Sequence, residues 1–460
     1  MPSITPVHIV LGRDIQMTFV PPVLDKLLTS TLEIPNPKWI ENNRMGRWNQ
    51  QTPKTLCFYS RTDSGDLRIP RGYMGRLIRS CRQYDIAYVI KDRRRALSPV
   101  NFTFSGALKS FQEAAVNALQ EKHFGTLAAP TGSGKTIMAI AMIAIRRQPA
   151  LVIVHTRELA AQWIQRLETF LGIESAYIGM IGGGKKKVGA EITVALVQSL
   201  YKCAAEISPQ IGFLIVDECH RCPSRTFTEA VSFFDAQYML GLSATPWRRD
   251  NLSNLIFWHL GDIQYAIDKK ALVATGDILD AKVTVRQTEF RPHHDPTTSY
   301  SKMLAELTAD DRRNHMIAAD VAAEAEKADG ICLVLSDRKH HCETLKAILT
   351  YRYKIAAEVL TGDVDIRERA EILKRLSEGH VRVLIATGQL IGEGFDCPNL
   401  STLFLTTPVR FSGRVLQYIG RVLRPSPGKA QAQIFDYVDG QVGVLQAAAN
   451  ARQAIYSGGY

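Results

Sequence analysis

The octapeptide Ala129-Pro130-Thr131-Gly132-Ser133-Gly134-Lys135-Thr136 restricts the fold more than any other part of the chain. An apolar β-like run, Gly125–Ala129, leads into it, and an apolar helical pattern follows. In that context the sequence predicts a phosphate-binding loop rather than a chance Gly-Ser turn. Glycines let the backbone wrap around oxygens, and the N-terminus of the next helix adds positive potential. Pro130, Thr131, Gly132, Ser133 and Gly134 are the expected cradle. Lys135 is placed to neutralise the β- and γ-phosphates of ATP, and Thr136 to ligate Mg2+.

A loop of this kind belongs to an α/β domain, and the pattern of runs describes two of them. From about 106 to 285, short apolar runs (Leu151–His155, Ile192–Leu196, Phe213–Val216, Met239–Leu242) alternate with amphipathic helical patterns. The alternation resumes from about 300 to 450 with Ile331–Leu335, Ala357–Leu360, Val383–Ala386, Thr402–Thr406 and Gln433–Asp436. Runs this short and apolar suit parallel strands covered on both faces. Residues 1–105 mix β-like runs (Val7–Leu11, Gln16–Val20, Leu56–Ser60, Ile86–Ile90) with helical patterns over Pro21–Leu32 and Gly72–Tyr84. The expected architecture is α/β. Two tandem parallel-sheet domains, 106–285 and 286–460, follow a small α+β domain, 1–105. Ligands of such domains sit beyond the strand C-termini, in the cleft that a tandem pair leaves.

Further motifs supply chemistry. Asp217-Glu218 ends the run Phe213–Val216. Asp217 can hold the Mg2+ shell, and Glu218 can orient or deprotonate the attacking water. Cys219 and Cys222 form a CxxC without a second pair at ligand spacing, so a structural role is preferred over zinc. Ser243-Ala244-Thr245 follows Met239–Leu242 and offers Ser243 and Thr245 as a bridge from the acidic pair to a track. Near the C-terminus, Arg421 and Arg424 are three residues apart and share a helix face. Their guanidinium groups suit charge on a transferring phosphoryl group. His340-His341-Cys342 lacks a fourth ligand and is expected to be solvated or capping.

In order, these segments resemble the core of a superfamily 2 helicase over about residues 106–440. Leu108-Lys109-Ser110-Phe111-Gln112 is similar to the adenine-sensing element, which implies nucleotide contacts from Phe111 and Gln112. Asp217-Glu218-Cys219-His220 resembles the DExH box, with Cys in the third place. The strand-contacting motifs of the family resemble His155-Thr156-Arg157 (with Gln162-Trp163 behind), Gln198-Ser199 and Thr361-Gly362. Ala386 to Asp396 resembles the segment that couples the two sites, implying a strand contact at Thr387 and nucleotide contacts at Gly394 and Asp396. Gln417, Arg421 and Arg424 stand at the family's last catalytic motif. The resemblance implies RecA-like domains that hydrolyse ATP. The DECH box, Ser243-Ala244-Thr245-Pro246-Trp247-Arg248-Arg249-Asp250 and a compact basic leading domain resemble the XPB and phage UvsW group most. That group implies movement on duplex, forked or branched DNA, 3' to 5'.

Charge bears on the track. The net charge is +11, and residues 1–105 hold 16 Lys and Arg against 8 Asp and Glu. A basic surplus in one region favours a polyanionic partner. Arg76 and Arg79 lie along one helical stripe, and Arg93, Arg94 and Arg95 follow closely; all five are expected phosphate contacts. For Trp39 and Trp48, which interleave with arginines, burial in the core is preferred over base stacking. No apolar run reaches the roughly 18 residues that a membrane helix needs. Scattered cysteines and the absence of a leader pattern fit a cytoplasmic protein, expected to work as a monomer. A DNA motor active in repair, recombination or replication is the leading expectation. An RNA helicase and the motor subunit of a restriction or defence complex remain alternatives.

Overall fold

The computed structural model describes residues 5–457 except 222–224, 245–252, 328–329, 389–390, 392–396, 398, 410–411, 427–428 and 430. The chain forms two compact units, Met1–Ala129 with Gly134–Ile267, and Pro130–Ser133 with Asp268–Tyr460.

In the first unit a five-stranded sheet runs Ser60–Arg61, Leu67–Pro70, Asp14–Thr18, Val7–Leu11, Tyr88–Asp92 in spatial order. Its pairs are antiparallel except Val7–Leu11 with Tyr88–Asp92, which is parallel. Alternation along Val7–Leu11 and Asp14–Thr18 buries Val7, Ile9, Leu11, Ile15 and Met17 on one face. The helices Pro22–Thr31 and Met74–Gln83 cover that face with Leu24, Leu28, Leu77 and Cys81. Leu255 and Trp258, from the helix Ser253–Leu260, complete the same core. The α+β domain is thus packed against the domain that follows it. Gly72 shows how closely. A Cβ there would stand 2.6 Å from Gly261 N and 2.6 Å from the His259 carbonyl carbon. The helix Pro37–Arg44 was not foreseen; Asn36 caps it by accepting from Lys38 N at 3.1 Å. Trp39 is half-buried, but Trp48 is 65% exposed, so the core expectation fails for Trp48.

The eight-stranded sheet of the same unit follows the order Lys185–Lys187, Gly179–Gly182, Ile192–Leu196, Ala150–Val154, Phe213–Val216, Tyr238–Ser243, Phe124–Ala128, Ile263–Ala266. Every pair is parallel except the first, a hairpin at the edge. That hairpin carries glycines and an all-lysine strand, so it lacked the apolar signal used above.

The second unit holds a six-stranded parallel sheet: Ala281–Gln287, Ala432–Val438, Leu400–Leu405, Ile331–Ser336, Val383–Thr387, Ala357–Leu360. Ala281–Gln287 pairs with Ala432–Val438 along its whole length, so the expected boundary at 285 falls inside a strand of this sheet. Alternating Lys282 and Arg286 had disguised that strand.

Candidate nucleotide and strand-contact site

The phosphate loop joins the strand Phe124–Ala128 to the helix Lys135–Arg146. Gly132 and Gly134 have φ of +91° and +83°, values that side chains rarely adopt. A Cβ on Gly134 would also stand 2.5 Å from Gln112 Nε2. Gln112 is held in turn, because its Oε1 accepts from Lys109 N at 2.9 Å. Phe111 precedes it, half-buried, in the helix Ser110–Gln120. The buried Lys135 donates from Nζ to Ala129 O at 3.1 Å, across the mouth of the loop. Ser133 Oγ closes the turn on Pro130 O at 2.7 Å. Thr136 is half-buried in the first turn of the helix.

Phe213–Val216 and Phe124–Ala128 flank Tyr238–Ser243, so parallel pairing brings three strand ends together. Ala129 N donates to Ser243 O at 3.0 Å. Asp217 is buried, accepting from Trp163 Nε1 at 2.8 Å and from Glu218 N at 2.9 Å. Burial raises its pKa above the usual aspartate value, and the Glu218 carboxylate adds to this. The Trp163 indole and the Lys135 ammonium oppose the shift. Glu218 itself has φ +48°, a left-handed conformation outside glycine. Such a strained residue costs on the order of 1–3 kcal/mol and is concentrated at functional sites. Its Oε2 lies 3.2 Å from His220 Nδ1, which lies 3.1 Å from Ser243 Oγ. His220 Nδ1 thus faces both the Ser243 hydroxyl and the Glu218 carboxylate. Cys219 is fully buried, and burial raises its thiol pKa well above the ordinary value.

Candidate strand contacts occupy the same edge. His155 and Thr156 follow Ala150–Val154, and Gln198 and Ser199 follow Ile192–Leu196, the parallel neighbour. Gln198 Nε2 donates to His155 O at 3.2 Å. Thr156 Oγ1 caps the next helix at Leu159 N, leaving Arg157 exposed. In the second unit Thr361 and Thr387 sit at the ends of Ala357–Leu360 and Val383–Thr387, with Gly362 exposed. Arg421 belongs to the last turn of the helix Ser412–Val422, and Arg424 follows it; both are half-buried. Lys429 Nζ gathers the carbonyls of Val422 and Arg424 and fixes that end. Tyr418 OH donates to Gly388 O at 2.8 Å and ties this helix to the segment after Thr387. Thr245, Gly394 and Asp396 lie outside the described residues, as does the side chain of Gln417.

Four of the five basic candidates in the leading domain hold carboxylates, although Arg79 stays exposed. Arg76 Nε and Arg79 Nη2 bind the two oxygens of Asp262 at 2.7 and 2.5 Å. Arg94 pairs with Asp92 at 2.6 Å, and Arg95 with Asp235 at 2.9 Å. Asp262 and Asp235 belong to the parallel-sheet domain, so Arg76, Arg79 and Arg95 clamp the two domains. The expectation of free phosphate contacts is corrected for these four residues. Arg93 is exposed, with no ion pair among the described residues.

Matches to protein families fall on these elements. The family described as "Type III restriction enzyme, res subunit" matches residues 105–248, spanning the loop and the acidic pair. "Helicase conserved C-terminal domain" matches residues 312–426, through Arg421 and Arg424. The chain belongs to the superfamily 2 helicases, near the XPB and UvsW group. This helicase is 26% identical over 358 residues to "DNA 3'-5' translocase XPB2" of Sulfurisphaera tokodaii, covering 70% of this chain and 80% of that protein. It is 26% identical over 343 residues to "ATP-dependent DNA helicase uvsW" of Enterobacteria phage T4, covering 70% of this chain and 66% of that one. A fragment of a putative HsdR subunit of a type I restriction enzyme from Vibrio vulnificus YJ016 shares the fold. Its TM-score is 0.58 at 21% identity, over 78% of this chain and 68% of the fragment.

Two contributors to the helicase site carry no local signal for the partners they take. Trp163 reads as an ordinary core position of an amphipathic helix, yet it fixes Asp217. Tyr418 reads as core too, yet its hydroxyl fixes Gly388.

Proposed function

We propose that this helicase hydrolyses ATP to move along DNA, 3' to 5', and remodels forked or branched duplexes. The observation that carries this is the placement of Lys135, Asp217 and Glu218 beyond the ends of the two strands that flank Tyr238–Ser243, beside a glycine-built phosphate cradle. The uvsW and XPB2 relatives support DNA as the track.

The cradle suits ATP because its glycines have no side chains to fill it and Lys135 stands at its mouth. Thr136 and Asp217 would hold Mg2+, which would supply charge neutralisation for the phosphates. Glu218 accepts the proton of the attacking water. The bond between the γ-phosphorus and the bridging oxygen then breaks, and ADP leaves with phosphate. Arg421 and Arg424 are proposed to neutralise charge on the transferring group, and Gln417 is the third catalytic residue proposed from the same segment. His220, beside both Glu218 and Ser243, links the acidic pair to the strand end that Ser243 closes, and Ser243 and Thr245 are the proposed coupling residues. His155, Thr156, Arg157, Gln198, Ser199, Thr361, Gly362 and Thr387 hold the strand backbone.

The test is the rate of ATP hydrolysis with duplex DNA, branched DNA, single strands and RNA. Branched or duplex DNA is expected to stimulate wild-type hydrolysis most. Lys135→Ala or Glu218→Gln is expected to lower the stimulated rate by at least about a hundredfold. Wild-type rates in either variant would remove the assigned chemistry, and stimulation by RNA alone would replace the track.

A further inference from the structure

A cavity of about 500 Å³ opens between the leading domain and the first parallel-sheet domain, and three arginines, Arg13, Arg68 and Arg71, line it. Arg71 is only 2% exposed. Its Nη1 donates to Ala236 O at 2.8 Å, but its Nε and Nη2 find no partner. Arg68 Nε is buried without a partner as well. The surrounding arginines behave differently, since Arg61, Arg76, Arg79, Arg94 and Arg95 each hold a carboxylate. Among the described residues no carboxylate pairs with Arg13, Arg68 or Arg71.

A buried guanidinium with unmade hydrogen bonds is costly unless a ligand completes it. Burial and the neighbouring Arg94 lower the Arg71 pKa to about 9, so it stays charged at neutral pH. Asp14 and Glu229 also reach the wall, leaving the arginines one positive charge in excess. Phe233 lies on the same wall and is 41% exposed, an aromatic face beside the cations. Cations bind phosphates, and exposed aromatic rings stack on unpaired bases. The volume falls within the range of about 300–1,000 Å³ that holds one small ligand, such as a single nucleotide unit.

We propose that this cleft holds one nucleotide unit of a single nucleic-acid strand, its phosphate on Arg71 and Arg68 and its base on Phe233. The site presupposes the nucleic-acid motor proposed above and names where an unpaired strand is gripped outside the motor motifs. A duplex is excluded from a cavity this small, so the cleft selects unpaired strand.

The test is fluorescence anisotropy of labelled oligo(dT) with the full chain over a range of salt concentrations. Phe233→Ala is expected to weaken binding about tenfold, the loss of one stacked base. Arg68→Gln is expected to reduce the salt slope by about 0.7, the loss of one single-strand phosphate contact. Arg71→Lys, which keeps the charge but not the two open donors, is expected to weaken binding too. If Arg71→Lys abolishes the thermal transition, the other two variants decide. Wild-type affinity and slope in both of those would overturn the proposal. So would an effect of Arg68→Gln on dTMP binding alone, which would make the cleft a small-molecule site. Failure of the motor is a separate outcome, because it appears as wild-type ATP hydrolysis that no nucleic acid stimulates.

Discussion

At Asp217, burial and the adjacent Glu218 carboxylate both oppose ionisation. The folded state therefore binds the proton more tightly than the unfolded chain does. The ionised group is penalised from about pH 4 upward, where a free aspartate ionises. Ionising this carboxyl, as metal binding needs, works against stability. Asp217→Asn is therefore expected to raise the melting temperature while abolishing ATP turnover. Each kcal/mol released corresponds to about 2–4 °C for domains of this size. A lower melting temperature would mean that the hydrogen bonds from Trp163 and Glu218 N outweigh the burial. The placement of Lys135 after a strand and loop, and of Asp217 and Glu218 at a strand end, was legible in the sequence because each spacing is set locally. Arg76 and Arg95 were misread for the converse reason. Their partners Asp262 and Asp235 are 186 and 140 residues away in sequence, so a basic stripe looked free.

Among the elements, the strand Ile331–Ser336 and the helices Asp311–Lys327 and Lys339–Arg352 meet at one buried histidine. His341 Nδ1 lies 2.9 Å from Ser336 Oγ, and Nε2 lies 2.9 Å from Asn314 Oδ1. Asn314 Nδ2 donates to Thr308 O, so Oδ1 faces the ring and Nε2 carries the proton. The histidine is neutral, its pKa pushed down to about 3 by burial, with Arg313 adding to the shift. His340 is exposed, but the expectation of a solvated or capping group is corrected for His341 and Cys342; an apolar helix face was needed to foresee a buried hub. Because the folded pKa is depressed, stability is complete above the unfolded value of about 6.5 and falls below it. Urea unfolding of the second unit is expected to weaken by up to about 1.4 kcal/mol per pH unit between pH 6 and 4. His341→Gln should flatten that slope, and an unchanged slope would assign the acid sensitivity elsewhere. Elements without an apolar run, such as Lys185–Lys187, were illegible because edge strands are recognised by pairing, not by burial.

At the scale of the whole molecule, the leading domain is not a tethered module. Trp258 enters its core, and Arg76, Arg79 and Arg95 clamp it. Gly72 lies against the backbone of His259 and Gly261 with no room for a methyl group. Gly72→Ala is expected to destabilise the first unit by about 1–3 kcal/mol, through overpacking against backbone that cannot yield. An unchanged melting temperature would show that the contact is loose. The α/β alternation announced the two parallel sheets, but Trp258 and Gly72 gave no hint of this packing, because close approach of distant backbone leaves no local pattern. Fork unwinding with ATP tests the account most directly, comparing wild type with Lys135→Ala and ATP with a non-hydrolysable analogue. Wild type with ATP is predicted to separate or migrate the branch, and the other three combinations to leave it intact. Branch movement by Lys135→Ala, or by wild type with the analogue, would contradict it.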